Sequence, residues 1–102
     1  MDRIAMLKDI LSQNPGDAFA RYGLAMEYSN SGKVSEAMSE FEALLKGHPD
    51  YTAAYFMAAQ TLSKANRMDE ARKMLQDGIV AAQRTANEHA RSEMEGMLAD
   101  LA

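Results

Sequence analysis

The stretch LAMEYSNSGKVSEAMSEFEALLKGHPDY, residues 24–51, contains two apolar segments that are separated by a glycine turn and closed by a proline. A weaker copy of this stretch begins at Ala58. In both copies the apolar residues recur every three or four positions, which is the spacing of one face of an α-helix. The sequence therefore predicts a helix–turn–helix unit that occurs twice.

The two prolines of the chain, Pro15 and Pro49, are separated by the same interval as Leu24 and Ala58, and each follows a segment with helical spacing. Proline cannot continue a helix, and it disfavours helical backbone in the residue before it. We therefore expect helices to end near Asn14 and His48. Because no segment alternates strictly between apolar and polar residues, the sequence predicts no strand and an all-α fold.

The turns contain residues that typically end or start helices. Gly32 and Asn66 tolerate left-handed backbone, so we expect each of them to end a helix. Short acceptor side chains are expected to cap the helices that follow the turns. These side chains are Asp17, Ser35, Asp50 and Asp69. A further apolar face within residues 88–101 predicts a last helix after a bend near residues 85–88.

The composition argues against several classes of function. Acidic residues outnumber basic ones by 15 to 11, the net charge is -4, and the basic residues are scattered. Neither nucleic acid nor a membrane surface is therefore an expected partner. The chain has no cysteine, which excludes disulfides and thiolate metal sites and fits a reducing compartment. Because the first residues lack the apolar run of a secretory signal, we expect a cytoplasmic protein.

The sequence contains no motif of a known catalytic centre. A phosphate-binding loop, a nucleophile elbow and a zinc helix motif are all missing. His89 and Glu93 are one helical turn apart and could share a metal, but such a pair is more often a contact on the solvent side of a helix. We expect no enzymatic activity, no metal and no cofactor.

The interval between the two helix–turn–helix units resembles the period of the tetratricopeptide repeat (TPR), and the chain is similar to small stand-alone TPR proteins of bacterial type. The matching positions are Leu24, Ala25, Tyr28, Ala37, Phe41 and Pro49 in the first unit and Tyr55, Ala58, Ala59, Leu62, Ala71 and Leu75 in the second. Arg21 replaces an aromatic residue, and Asn66 replaces a glycine. Gln83 replaces a proline, which predicts that its helix continues past the usual end.

The resemblance implies a right-handed superhelical stack of helix pairs in a single domain over residues 1–102. Its predicted segments are an N-terminal helix (1–14) that forms a half-repeat, repeat 1 (17–50), repeat 2 (51–84) and a C-terminal capping helix (86–102). One hairpin cannot bury its own apolar face, so the second copy supplies the missing core of the first. Small residues, among them Gly78, are expected where helices approach closely.

The resemblance also implies that the first helix of each unit lines a concave groove. We expect this groove to bind a peptide or a helical segment of another protein, whose identity the sequence does not specify. The predicted lining residues are Phe19, Tyr22, Met26, Asn30, Phe56, Gln60, Ser63 and Lys64. Some members hold an acidic peptide end with a basic clamp. That clamp is not expected here, because only Lys64 and Asn30 lie near the corresponding surface.

Two alternatives to a free groove remain open at this point, and a third class of role cannot be separated from groove binding by sequence. The N-terminal helix could fold over Phe19 and Tyr22, which would make both residues ordinary core. The groove or the ends of the solenoid could instead pair with a second copy and give a homodimer. An adaptor subunit of a larger enzyme would have the same sequence features. The position of the last helix distinguishes a monomer from copies that stack on one another. If the apolar side of this helix caps residues 68–83 of its own chain, its polar side prevents stacking on a second copy.

Overall fold

The computed structural model describes residues 2–101, and within that range it contains six α-helices and no strand. The helices are α1 (Arg3–Gln13), α2 (Ala18–Asn30), α3 (Val34–Gly47), α4 (Thr52–Lys64), α5 (Met68–Arg84) and α6 (Glu88–Asp100). Each helix packs mainly against its neighbours in sequence, while α2 also contacts α4 and α4 also contacts α6. The expected all-α stack of helix pairs is confirmed.

Two apolar clusters form the core, one after the other along the stack. The first joins α1, α2, α3 and α4, extends to Ala71 at the start of α5, and includes the fully buried side chains of Phe41 and Ala37. The second joins α4, α5 and α6 and includes Leu75 and Met94. Such an arrangement is expected of a solenoid, in which each helix pair buries its apolar face against the next pair.

Three tight turns share one backbone geometry. Gly32, Asn66 and Ala86 have positive φ angles of 74°, 61° and 54°. In each turn the next backbone N–H donates to a carbonyl five residues earlier, which is the pattern of a Schellman motif. These bonds are Lys33 to Tyr28 (2.9 Å), Arg67 to Leu62 (2.9 Å) and Asn87 to Ala82 (2.8 Å). The left-handed turns expected at Gly32 and Asn66 are confirmed. The one at Ala86 was not expected, because alanine gives no signal for it.

The predicted helix caps are only partly confirmed. Asp17 caps α2, since its Oδ1 accepts from the backbone N–H of Ala20 at 2.9 Å. The prediction is wrong for the other three residues, which are Ser35, Asp50 and Asp69. Ser35 lies inside the first turn of α3 and Asp69 inside the first turn of α5, because the tight turns let these helices begin earlier than expected. The N-cap of α4 is Tyr51, and the carboxylate of Asp50 accepts from Arg84 instead.

The last helix pair is connected differently from the others. At 17 residues, α5 is longer than α3, its counterpart one repeat earlier, which has 14. The extension predicted from Gln83 is therefore confirmed. A tight turn, rather than a proline turn, follows α5, so α6 folds back along α5 and also contacts α4.

Arg21 keeps one function of the aromatic residue that it replaces. Arg21 and Tyr55 occupy equivalent positions of the two repeats, and each donates to the carbonyl of the proline six residues before it. The Nη2 atom of Arg21 lies 3.2 Å from the carbonyl of Pro15, and the Oη atom of Tyr55 lies 2.6 Å from that of Pro49. Arg21 also forms an ion pair with Glu40 of α3 at 2.7 Å. In both repeats, the first helix is thus tied to the turn that precedes it.

Candidate functional site

An open cavity of about 240 Å³ lies between α4 and α6, with one residue contributed by α2. We call it the α4–α6 groove. Its lining residues are Tyr22, Thr52, Ala53, Phe56, Met57, Asn87, His89, Ala90, Glu93 and Met94. Small-molecule pockets typically measure roughly 300–1,000 Å³ and are concave, mostly apolar and edged by a few polar groups. The groove has that composition but a smaller volume, so it fits one bulky apolar side chain.

The position of α6 creates this groove. Gly78 on α5 allows close approach of both α4 and the Met94 side chain of α6: a Cβ atom at this position would lie 2.6 Å from Cβ of Tyr55 and would also meet the sulfur of Met94. The guanidinium of Arg72 on α5 donates to the carbonyl of Leu101 at 2.8 Å, which holds the other end of α6. Because α6 packs closely on α5, a gap remains between α6 and α4.

The polar rim of the groove comes mainly from α6 and the turn before it. Nδ2 of Asn87 lies 3.4 Å from Oγ1 of Thr52, so one end of the groove is bridged by a weak hydrogen bond. Nε2 of His89 lies 3.2 Å from Oε1 of Glu93, and the two side chains are 88% and 51% exposed. The solvent-side contact expected for this pair is therefore present. These groups can hydrogen-bond to the backbone of a segment that enters the groove.

The structure divides the predicted lining residues between two places. Tyr22 and Phe56 line the α4–α6 groove. Asn30 and Lys64 lie near the C-terminal ends of α2 and α4, where they line a separate cavity of about 360 Å³. Phe19 is 76% exposed. That these residues bind a partner stays a prediction.

The other predicted lining residues are less accessible. Met26 is half-buried and packs against the first core cluster. Gln60 and Ser63 are half-buried on α4. The alternative in which Phe19 is covered core is wrong for that residue, because most of its surface is exposed.

Much of the groove lining was missed at the sequence level. The missed residues on α6 and the turn before it are Asn87, His89, Ala90, Glu93 and Met94, and on α4 they include Met57. One signal was available: Tyr22, Phe56 and Ala90 follow one another at the repeat period, and all three line the groove. Extending the repeat period by one further unit places Ala90 after Tyr22 and Phe56, and this predicts that α6 lines the groove together with α2 and α4.

Tyr22 belongs both to the groove and to the edge of the core. Its ring meets Phe41 edge-on at 6.5 Å between centroids and lies 5.3 Å from the ring of Tyr51. Burial, followed by the nearby hydroxyl of Tyr51, raises the pKa of the Tyr22 phenol above its ordinary value of 10.0. The folded protein thus resists ionisation of a side chain in the groove wall.

This raised pKa predicts a loss of stability at alkaline pH. Below pH 10 the phenol is neutral in both the folded and the unfolded chain, so it contributes no penalty. Above that value the unfolded chain ionises first, and the free energy of unfolding falls as the pH rises. We expect Tyr22→Phe to reduce this fall, measured by urea unfolding at about pH 8 and about pH 10.5. An identical fall in both proteins would contradict the prediction.

The apolar side of α6 faces the second core cluster. Ala90, Met97 and Leu98 pack against the second core cluster. On the opposite side, Arg91 forms an ion pair with Glu95 at 2.7 Å and a second one with Glu88. The arrangement in which the last helix caps residues 68–83 is therefore the observed one, and its outer face is polar.

No helix among residues 2–101 has the length and apolar character that crossing a lipid bilayer requires.

The chain resembles known proteins in both sequence and fold. A family model described as tetratricopeptide repeat matches residues 30–92, and a comparison with curated proteins finds no match. A tetratricopeptide repeat domain protein from Salinibacter ruber is 28% identical, with a TM-score of 0.79 over 86% of this chain and 89% of that one.

Two further solved structures share the fold at lower identity. A protein from Bordetella parapertussis is 23% identical, with a TM-score of 0.85 over 99% of this chain and 88% of that one. PcrH, solved in complex with the chaperone binding region of PopD, is 16% identical, with a TM-score of 0.87 over 96% of this chain and 74% of that one.

Proposed function

The chain belongs to the tetratricopeptide repeat family, and on that premise we propose that it is a non-enzymatic module that binds a segment of another protein in the α4–α6 groove. The observation that carries the proposal is the open, largely apolar groove itself. PcrH, which has the same fold, forms a complex with the chaperone binding region of PopD, and this supports protein capture as the activity. The absence of cysteine supports the cytoplasm as the place where it acts.

The dimensions of the groove indicate how a segment would bind. Phe56 and Met57, which are both only half-buried, offer an apolar surface to one bulky side chain, and methionine adapts readily to different shapes. Phe19 on α2 is equivalent by the repeat period to Ala53 in the groove lining. The segment would therefore continue from the groove across Ala53 towards the exposed ring of Phe19.

The groove is better suited to binding than to catalysis. His89 and Glu93 are exposed and pair with each other at the rim, whereas catalytic acids and bases typically lie in water-excluded clefts. The walls of the groove are helices that are fixed by core packing, so little conformational entropy is lost when a segment binds.

Filling the groove from an exposed position tests the proposal. Peptides selected on the wild-type protein from a display library are expected to bind Ala53→Leu at least tenfold more weakly, measured by fluorescence polarisation. Ala53 is exposed and lines the groove, so the larger side chain occupies the binding space. Leucine is a strong helix former, which makes loss of the fold unexpected.

Ala99→Leu is the matched control, because Ala99 is also an exposed alanine on a helix and does not line the groove. We expect it to bind the selected peptides with the affinity of the wild type. Equal binding by both variants would place the peptide elsewhere and contradict the proposal.

A further inference from the structure

Neither proline nor glycine imposes the bend between α5 and α6, where the side chain of Asn87 caps the start of α6. Pro15 and Pro49 interrupt the chain between α1 and α2 and between α3 and α4, where they prevent a continuous helix. Residues 79–95, which include the end of α5 and the start of α6, contain neither proline nor glycine. The backbone of this segment could therefore continue as one helix.

The bent form also carries strain at one residue. Ala86 has a φ of 54°, a left-handed conformation that is unfavourable for an L-residue with a Cβ atom. The cost corresponds to roughly a 5–30-fold shift of the local equilibrium away from the bend. The equivalent turns avoid most of this cost, because they place Gly32 and Asn66 at the left-handed position.

We propose that α5 and α6 can straighten into one helix over residues 68–100, and that two copies of the chain then exchange their α6 helices. At 1.5 Å per residue such a helix is about 50 Å long, which exceeds the 40 Å longest extent of the molecule. A straightened α6 therefore lies beyond its own core, and its apolar side needs a second copy to cover it.

The second copy offers the same contacts that α6 makes within one chain. The sulfur of Met94 would enter the notch at Gly78 and Tyr55 of the other copy, and Arg72 would bind the carbonyl of the other copy's Leu101. The α4–α6 groove would then be built from two chains, with its α6 wall supplied by the second copy.

The balance between monomer and exchanged dimer depends on few terms. The α6 contacts are common to both forms, so the strain at Ala86 favours the dimer, whereas the Asn87 cap of α6 and the loss of translational and rotational freedom favour the monomer. Exchange requires α6 to detach and to expose the buried side chain of Met94. Conversion of the folded monomer should therefore be slow, and refolding at high protein concentration should give the most dimer.

The test measures solution mass by light scattering, after the full-length chain has been refolded from denaturant at low and at high protein concentration. We expect dimer only at high concentration for the wild type and none for Glu88→Pro. Glu88 is the first residue of α6, where proline is well tolerated. Asn87 before it has a ψ of 85°, outside the helical region that proline disfavours in the preceding residue. The same proline would break a continuous helix.

A second variant changes the hinge in a different way. Ala86→Gly removes the left-handed strain and lowers helix propensity, so it is expected to raise the dimer dissociation constant by about 30-fold or more while the monomer stays folded. A wild type that remains monomeric at every concentration would overturn the proposal, and so would a Glu88→Pro variant that dimerises as readily as the wild type. Either result would leave peptide capture by the groove untouched, because the monomer contains a complete groove.

Discussion

Replacing Phe41 by alanine is expected to lower the free energy of unfolding by about 3–5 kcal/mol, the usual cost of removing a buried aromatic ring. Phe41 is fully buried on α3, and the ring of Tyr22 packs against it edge-on. Domains of this size are typically stable by roughly 5–15 kcal/mol, so the variant would lie near the threshold of folding. Urea unfolding followed by far-ultraviolet circular dichroism measures the difference.

Phe19→Ala provides the matched control, because it removes the same side chain from another helix of the same stack. Phe19 is 76% exposed, so we expect its loss to change the free energy of unfolding by no more than about 0.5 kcal/mol. Similar losses for the two variants would mean that Phe19 is covered in solution and would remove it from the binding surface.

The burial of Phe41 could be predicted from the sequence, whereas the exposure of Phe19 could not. Phe41 occupies a defined position of the repeat, and every copy of that repeat needs a large side chain there to fill the core. Phe19, Tyr22 and Met26 form a stripe at helical spacing, which shows that they share a face of α2. The spacing does not say what covers that face. The structure leaves Phe19 exposed, and it packs Tyr22 and Met26 against the core.

Local signals predicted helix ends better than helix starts. The left-handed turns at Gly32 and Asn66 could be predicted because few residues tolerate that backbone conformation. The starts of α3 and α5 could not, because the hydrogen bonds of the tight turns, rather than side-chain caps, decide where those helices begin. The left-handed turn at Ala86 could not be predicted for a different reason: packing of α6 on α5 holds this residue in a conformation that its own side chain disfavours.

Much of the candidate site depends on where α6 lies, and a periodicity argument within one helix does not give that position. The apolar side of α6 was predicted, and it does cap the second core cluster. The gap that α6 leaves beside α4 depends on how closely α6 approaches α5. Gly78 makes room for this packing, because the sulfur of Met94 and the Cβ atom of Tyr55 both lie close to where its own Cβ atom would be; the sequence indicated this glycine only as a point of close approach between helices.

Gly78→Ala is therefore expected to destabilise the fold and to displace both α4 and α6 from α5. The new methyl group would lie 2.6 Å from Cβ of Tyr55, an atom next to the backbone of α4 that cannot move away by a change of rotamer. Overpacking of this kind costs about 1–3 kcal/mol, and the gain from replacing a helical glycine offsets at most about 1 kcal/mol of it. Thermal unfolding measures the net loss of stability, and amide chemical shifts of residues 88–100 report the displacement.

Gly96→Ala separates the packing effect from the intrinsic preference of alanine for helices. Gly96 lies within α6, and a Cβ atom there would have no other atom within 4 Å. We expect this variant to raise the free energy of unfolding by about 0.5–1 kcal/mol, the ordinary gain from glycine to alanine in a helix. Opposite signs for the two variants would show that α5 is closely packed at Gly78 against Tyr55 of α4 and Met94 of α6. If Gly78→Ala were also stabilising, α5 would lie further from α4 and from the Met94 side chain in solution, and the groove between α4 and α6 would not have the shape described.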